Sequence, residues 1–281
     1  MRHRTLIGTA ELAACIHDPT FVVVDCRYDL VDVDAGERAY RAGHLPGARF
    51  MHVDRDLSGI KTGRNGRHPL PGISGLSATF GRAGIDASKQ VIAYDQASGA
   101  WASRLWWLLQ WLGHDAVAVL DGGIAKWIAK GRALSRDVPA VQPAVFVAQP
   151  PRPTASAAEI LDNLRDGTLK IVDARAAERF RGDVEPIDPV AGHIPGAINR
   201  PYSANLSSES TFKPAAQLRA EFEALLGTTP PSAVVHQCGS GVTACHNALA
   251  MAIAELPGSR LYPGSWSEWI ADPSRPVARG T

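Results

Sequence analysis

The chain has 281 residues, 45% of them hydrophobic and 20% charged, a globular composition with ample material for a core. Lys and Arg total 29 against 28 Asp and Glu, a formal net charge of +1, which argues against a broad nucleic-acid surface though not against a local basic pocket. The four cysteines, at 15, 26, 238 and 245, make neither a disulfide framework nor CxxC pairs, so zinc is not expected and a reducing compartment fits best. No apolar run reaches the roughly 18 residues of a membrane span.

In chain order, "MRHRTLIGTAELAAC" begins basic and ends in a lipoprotein-like Leu-Ala-Ala-Cys. Its apolar stretch is only about six residues before Glu11, below the ~7 of a signal core. It reads as a short amphipathic helix over residues 9–17 of a cytoplasmic protein. The valine-rich runs "FVVVDCR" (21–27), "QVIAYD" (90–95) and "AVAVL" (116–120) suit parallel strands covered by helices. Between them "WASRLWWLLQWLG" (101–113) has helical spacing, with Trp106, Trp107 and Trp111 as core residues. Five of the fifteen residues in "PAVQPAVFVAQPPRP" (139–153) are proline, which predicts an extended linker whose "AVFVA" pairs as an edge strand. Beyond it "LKIVDAR" and "SAVVHQ" read as strands and "TACHNALAMAIAEL" as a helix.

Four blocks recur in the same order. "VVVDCR" returns as "KIVDAR", "AGHLPGA" as "AGHIPGA", "VIAYD" as "VVHQC" and "LDGGIAKW" as "YPGSWSEW". The near-constant offset means a duplicated domain, not a solenoid of short repeats. The expected organisation is a domain over 1–138, a linker over 139–153 and a second domain over 154–281. Strands alternating with helices make each an α/β domain, a mainly parallel sheet with helices on both faces.

Cys238 ends a strand, and "GSGVT" (239–243) turns the chain into the next helix. At this edge of an open α/β sheet ligands bind. Gly239 and Gly241 let the turn aim successive amides at the sulfur, above a helix N-terminus, which favours an anion. A free cysteine is only about 3% thiolate at pH 7; lowering its pKa by two units, about 2.7 kcal/mol, makes most of it thiolate. The alternative is a buried structural cysteine, and Cys245 is read that way. The first copy carries Asp95 where the second has Cys238, so only the second copy has the nucleophile. Papain- and caspase-like signatures are absent. A Cys-x5-Arg phosphatase loop is also ruled against, because the residue six past Cys238 is Ala244.

The tandem "D-x-R … GHxPGA" blocks, with "CGSGVTA" and "GSWSEW", resemble the two-domain rhodanese-type sulfurtransferases over about residues 5–272. The resemblance implies two rhodanese-like domains, the first inactive, and a persulfide on Cys238 in the second. Sulfane sulfur would pass from a small-molecule donor to cyanide, a thiol or thioredoxin, with no metal, organic cofactor, nucleic acid or membrane. Within this family, the absence of basic residues after the cysteine points to 3-mercaptopyruvate as donor, with thiosulfate as the alternative. A non-catalytic sulfur-binding module is a further alternative. The same resemblance assigns Ser240, His68 ("RHPLPG") and Asp54 ("HVDRD") to a proton-handling trio with Cys238. It assigns Arg179 of "RFRG" to the substrate carboxylate, with Arg181 as a rival. The loop residues Gly239, Gly241, Val242 and Thr243 would hold the sulfur. The second arginine usual in mercaptopyruvate members has no counterpart near Asp188, so that clamp is either missing or supplied from elsewhere, with Arg200 the candidate. Asp25–Arg27 and Asp173–Arg175 are expected to tie strand ends to loops. His44 and His193 are expected to fix turns, and Trp266 and Trp269 to wall the pocket or fill the core.

Overall fold

The computed structural model describes residues 2–96 and 98–280. It divides into two units that are not contiguous in sequence. The first comprises residues 1–59, 71–152 and 208–212, the second residues 60–70, 153–207 and 213–281.

In the first unit the strands are β1 (Leu6–Ile7), β2 (Phe21–Asp25), β3 (Arg49–Phe50), β4 (Gln90–Tyr94) and β5 (Val117–Leu120). They form one sheet in the order β1-β5-β4-β2-β3, every neighbouring pair parallel. The helices are α1 (Thr9–Cys15), α2 (Ala35–Ala42), α3 (Ile73–Arg82), α4 (Ala102–Trp111) and α5 (Gly123–Ala129). Strands β4 and β5 are buried along their whole length, as their continuous apolar runs require. Trp106, Trp107 and Trp111 are all buried, as their helical spacing predicted.

The second unit contains α6 (Ala157–Asp166), β6 (Lys170–Asp173), α7 (Ala177–Arg181), β7 (Ile198–Asn199), α8 (Ala215–Leu226), β8 (Val234–Gln237), α9 (Ala244–Ile253), β9 (Arg260–Leu261) and α10 (Ser265–Trp269). Its parallel sheet runs β7-β6-β8-β9, repeating the order β3-β2-β4-β5 of the first copy. The core packs Ile160, Ile171, Val235 and Tyr262 against Trp266 and Trp269, both fully buried, so these two tryptophans are core residues.

The duplicated blocks perform the same task in each copy. Arg27 makes paired bonds to Asp25 and reaches the Gly43 carbonyl at 2.8 Å; Arg175 does the same with Asp173 and the Gly192 carbonyl, also at 2.8 Å. His44 stacks on Tyr40 and His193 on Phe180, each ring Nδ1 meeting that partner's carbonyl. These histidines fix turns, as expected.

Residues 139–152 pack with the first unit. The Ala144 amide bonds the Gly81 carbonyl, Phe146 is buried edge-on to Phe80, and the Arg152 amide bonds the Trp111 carbonyl. The strand expected in "AVFVA" is not formed. Flanking prolines remove ladder donors, and burial of Phe146 holds the segment by a side chain instead. Among the described residues no helix is long and apolar enough to cross a membrane.

Candidate active site

Strand β8 ends at Gln237, and residues 238–243 carry the chain into α9. Cys238 is 2% exposed. The Gly241 amide donates to its Sγ at 3.1 Å. Gly241 has φ +77, and a Cβ there would overlap the Pro263 carbonyl, so both the left-handed backbone and the close approach demand glycine.

The start of α10 holds the loop from the other side. The Trp266 amide donates to the Cys238 carbonyl at 3.0 Å and the Ser267 amide to the Gly239 carbonyl at 2.9 Å. Because N–H and C=O oppose each other across a planar trans peptide, these bonds leave the amides of Gly239 and Ser240 aimed away from α10. The Cys238 amide donates to Ser265 Oγ at 3.1 Å, and that hydroxyl donates to the Tyr262 carbonyl. Val242 is buried and Thr243 half-buried. Cys245, inside α9, lies with its Sγ 3.3 Å from the Gly241 carbonyl, so it supports the loop from below.

The first copy shows what such a turn binds. Asp95, at the position equivalent to Cys238, accepts bonds from the amides of Gly99 (2.9 Å), Trp101 (2.8 Å) and Ala102 (3.2 Å). There a carboxylate occupies the ring of main-chain donors. A turn of this kind is an anion cradle, and in the second copy the Cys238 sulfur stands at the equivalent place, with the Gly241 amide donating to it.

His68 belongs to residues 60–70 and packs within the second unit. It is 3% exposed, and its Nδ1 shares a 2.7 Å hydrogen bond with Ser240 Oγ. Serine and histidine are therefore joined two residues from the sulfur. Asp54, the other member of the expected trio, belongs to the first unit, where the Tyr28 hydroxyl donates to it.

Arg179 lies beside the loop. A Cβ on Gly239 would sit 3.6 Å from its Nη2 and 2.8 Å from Nη2 of a second arginine, Arg67. Arg179 is bonded to Glu185 (2.7 Å) and to Asp188 (3.2 Å); Arg67 is paired with Asp188. Burial works to raise the Glu185 carboxyl, but bonds from Arg179 and from the amides of Asp188 and Ile187 overcome it and hold Glu185 below the usual range. At Asp188 burial prevails over both guanidinium groups, and the carboxyl is pushed up.

Two expectations are corrected. Arg200 does not supply the second guanidinium: it bonds Asn205 and Glu221 and lies over the Phe222 ring. Arg181, the rival of Arg179, pairs with its near neighbour Asp183. Arg67 stands at the head of the "RHPLPG" block, directly before His68. Nothing in one sequence reports that residue 67 meets residue 188.

The Rhodanese-like domain profile matches residues 9–130 and 156–272. The chain is 47% identical to the "Probable 3-mercaptopyruvate sulfurtransferase" of Pseudomonas aeruginosa across the full length of both proteins. It is 31% identical to the thiosulfate sulfurtransferase of Bos taurus, over 99% of this chain and 96% of that one. Among solved structures, SseA from Escherichia coli, a 3-mercaptopyruvate sulfotransferase, aligns with a TM-score of 0.81 and 31% identity, over 94% of this chain and 99% of that one. With a duplicated fold, a cysteine in an amide cradle in the second copy only, and these relatives, the chain belongs to the two-domain rhodanese-type sulfurtransferases.

Proposed function

We propose that this enzyme carries sulfane sulfur as a persulfide on Cys238, taking it from 3-mercaptopyruvate and passing it to a thiol, cyanide or a thioredoxin-like protein. The observation that carries the reading is the 2.7 Å bond between His68 and Ser240 beside a sulfur that already accepts an amide bond. Attack by the Cys238 thiolate on the donor sulfur forms the S–S bond and breaks the donor's C–S bond. The electron pair leaves on carbon as the pyruvate enolate. The proton on the transferred sulfhydryl must reach that carbon to give pyruvate, and Ser240 with His68 is the relay available for it. The persulfide anion then rests on the loop amides of residues 239–243, dipoles that need no reorganisation when charge develops. An acceptor thiolate attacks the outer sulfur, and Cys238 leaves as thiolate. Thiosulfate carries no thiol proton and has no use for the relay.

The test compares kcat/KM for the two donors in the wild type and in His68→Ala. Mercaptopyruvate should be the better donor. The variant should lose about 10²- to 10⁴-fold on it, the range of general acid–base catalysis, and much less on thiosulfate. A roughly tenfold preference for thiosulfate, or equal losses on both donors, sinks the reading. Intact-mass analysis after donor treatment should find one added sulfur, absent in Cys238→Ser.

A further inference from the structure

We propose that Arg67 is a specificity-determining residue of this site, a second guanidinium that grips the donor's carboxylate beside Arg179 and is held ready for it by Asp188. The inference deepens the mercaptopyruvate reading and rests on it.

Four observations carry it, all within the second unit. First, the backbone bearing Arg67 is pinned to the loop's own support: the Arg67 amide donates to Ser267 Oγ at 3.0 Å, and Gly66 (φ +83) lies so close to Gly264 that a Cβ would come within 2.7 Å of its carbonyl oxygen. Second, the guanidinium lies over the residue after the nucleophile, where a side chain at 239 would meet Arg67 Nη2 at 2.8 Å. Two planar forks thus converge over Gly239, the residue after Cys238, and a planar carboxylate is the anion that such forks fit bidentately. Third, Arg67 keeps unused donor capacity. Its Nη1 meets Asp188, while its Nε is buried with no hydrogen-bond partner among the described residues. Leaving such a donor dry costs free energy that a ligand can recover. Fourth, Asp188 is a single carboxylate shared between Arg67 and Arg179, whereas Arg179 has Glu185 besides. Asp188 therefore stands in for the donor's carboxylate in the resting protein. Burial already pushes that carboxyl up, so it is the acid of the cluster that most readily gives up its charge when a second anion arrives.

A charge has thus changed sides. Where the family pattern leads one to expect a cation near residue 188 this chain has an acid, and the matching cation comes from residue 67, 121 positions earlier. Arg67 touches the donor's binding end and takes no part in the bond changes at sulfur.

The test uses the full chain and a matched pair of donors, 3-mercaptopyruvate and mercaptoacetone, which has a methyl group in place of the carboxylate. Arg67→Gln should raise KM for mercaptopyruvate ten- to a hundredfold, the loss of one charge-assisted bond, while changing kcat/KM for mercaptoacetone less than about twofold. Arg67→Lys should recover part of the loss, since it restores charge but not the fork. Equal losses on both donors would mean a structural role only, and an unchanged mercaptopyruvate KM would mean no role; either overturns the inference. If the wild type turns over neither donor, the functional reading has failed by itself. Calorimetric binding of pyruvate to wild type and Arg67→Gln then decides the point: weaker binding to the variant supports the clamp, and equal or absent binding overturns it.

Discussion

His236 makes the second unit acid-sensitive in a way that can be worked out in advance. It lies in β8, two residues before Cys238, fully buried between Val172 of β6 and Leu261 of β9. Neither ring nitrogen has a hydrogen-bond partner among the described residues. Burial, assisted by the positive charge of Arg200, pulls its pKa down to about 3. The folded state therefore keeps the imidazole neutral, while the unfolded chain protonates it near pH 6.5. Below that pH the unfolded state binds the extra proton, so stability falls as pH falls. At pH 5 the loss is RT ln(1 + 10^1.5), about 2 kcal/mol, set by the unfolded pKa alone; it grows to about 4 kcal/mol near pH 3, where the folded state begins to take up the proton too. His236→Leu removes the titrating group and two unpaired buried nitrogens. The assay is urea unfolding read by brief thiol labelling of Cys245, fully buried in α9, in a Cys238→Ser background at pH 8 and pH 5. With a slope of about 2 kcal/mol per molar, the parent's midpoint should drop about 1 M further than the variant's between the two pH values. Equal drops in both proteins would refute the assignment of the acid sensitivity to His236.

Two more perturbations address the loops themselves. Gly241→Ala must adopt a left-handed backbone, at about 1–2 kcal/mol, and push its methyl away from the Pro263 carbonyl, which drags the amide off Cys238 Sγ. Single-turnover sulfur transfer should slow about 10²- to 10³-fold, the usual effect of losing one preorganised donor, with the circular dichroism spectrum retained; a rate within about threefold of wild type would show that the cradle is not used. Asp95→Ala strands the buried amides of Gly99, Trp101 and Ala102 without their carboxylate, and should lower the first unit's unfolding free energy by about 3 kcal/mol in urea titration. A change below about 1 kcal/mol would mean that the carboxylate is not what holds that turn.

Much was legible because it depends on neighbours in sequence. Valine-rich runs became the parallel strands, the "D-x-R" pairs became bidentate strand-end ties, and the strand–Cys–Gly–x–Gly–helix order placed Cys238 at the carboxyl edge of the sheet. The edge strand in residues 139–153 was misread because a local apolar run cannot announce that Phe146 will be claimed by Phe80 instead of a ladder. Arg200 failed as the second clamp for the same reason: its partners, Asn205, Glu221 and Phe222, come together only when α8 packs.

Duplication, fold class and the place of Cys238 at a strand end could thus be read from linear order, since periodicity, turn glycines and strand–turn–helix order act over a few residues each, whereas the sulfur chemistry entered only through the resemblance to a family. The company that Cys238 keeps is not local: the resemblance alone paired Ser240 with His68, and no local signal pointed to Arg67. Ser240 meets His68 across 172 residues, Arg67 meets Ser267 across 200 and Asp188 across 121. Those pairings are selected by burial and charge neutralisation once the chain has closed on itself, and no local propensity encodes which distant partner a buried charge will find.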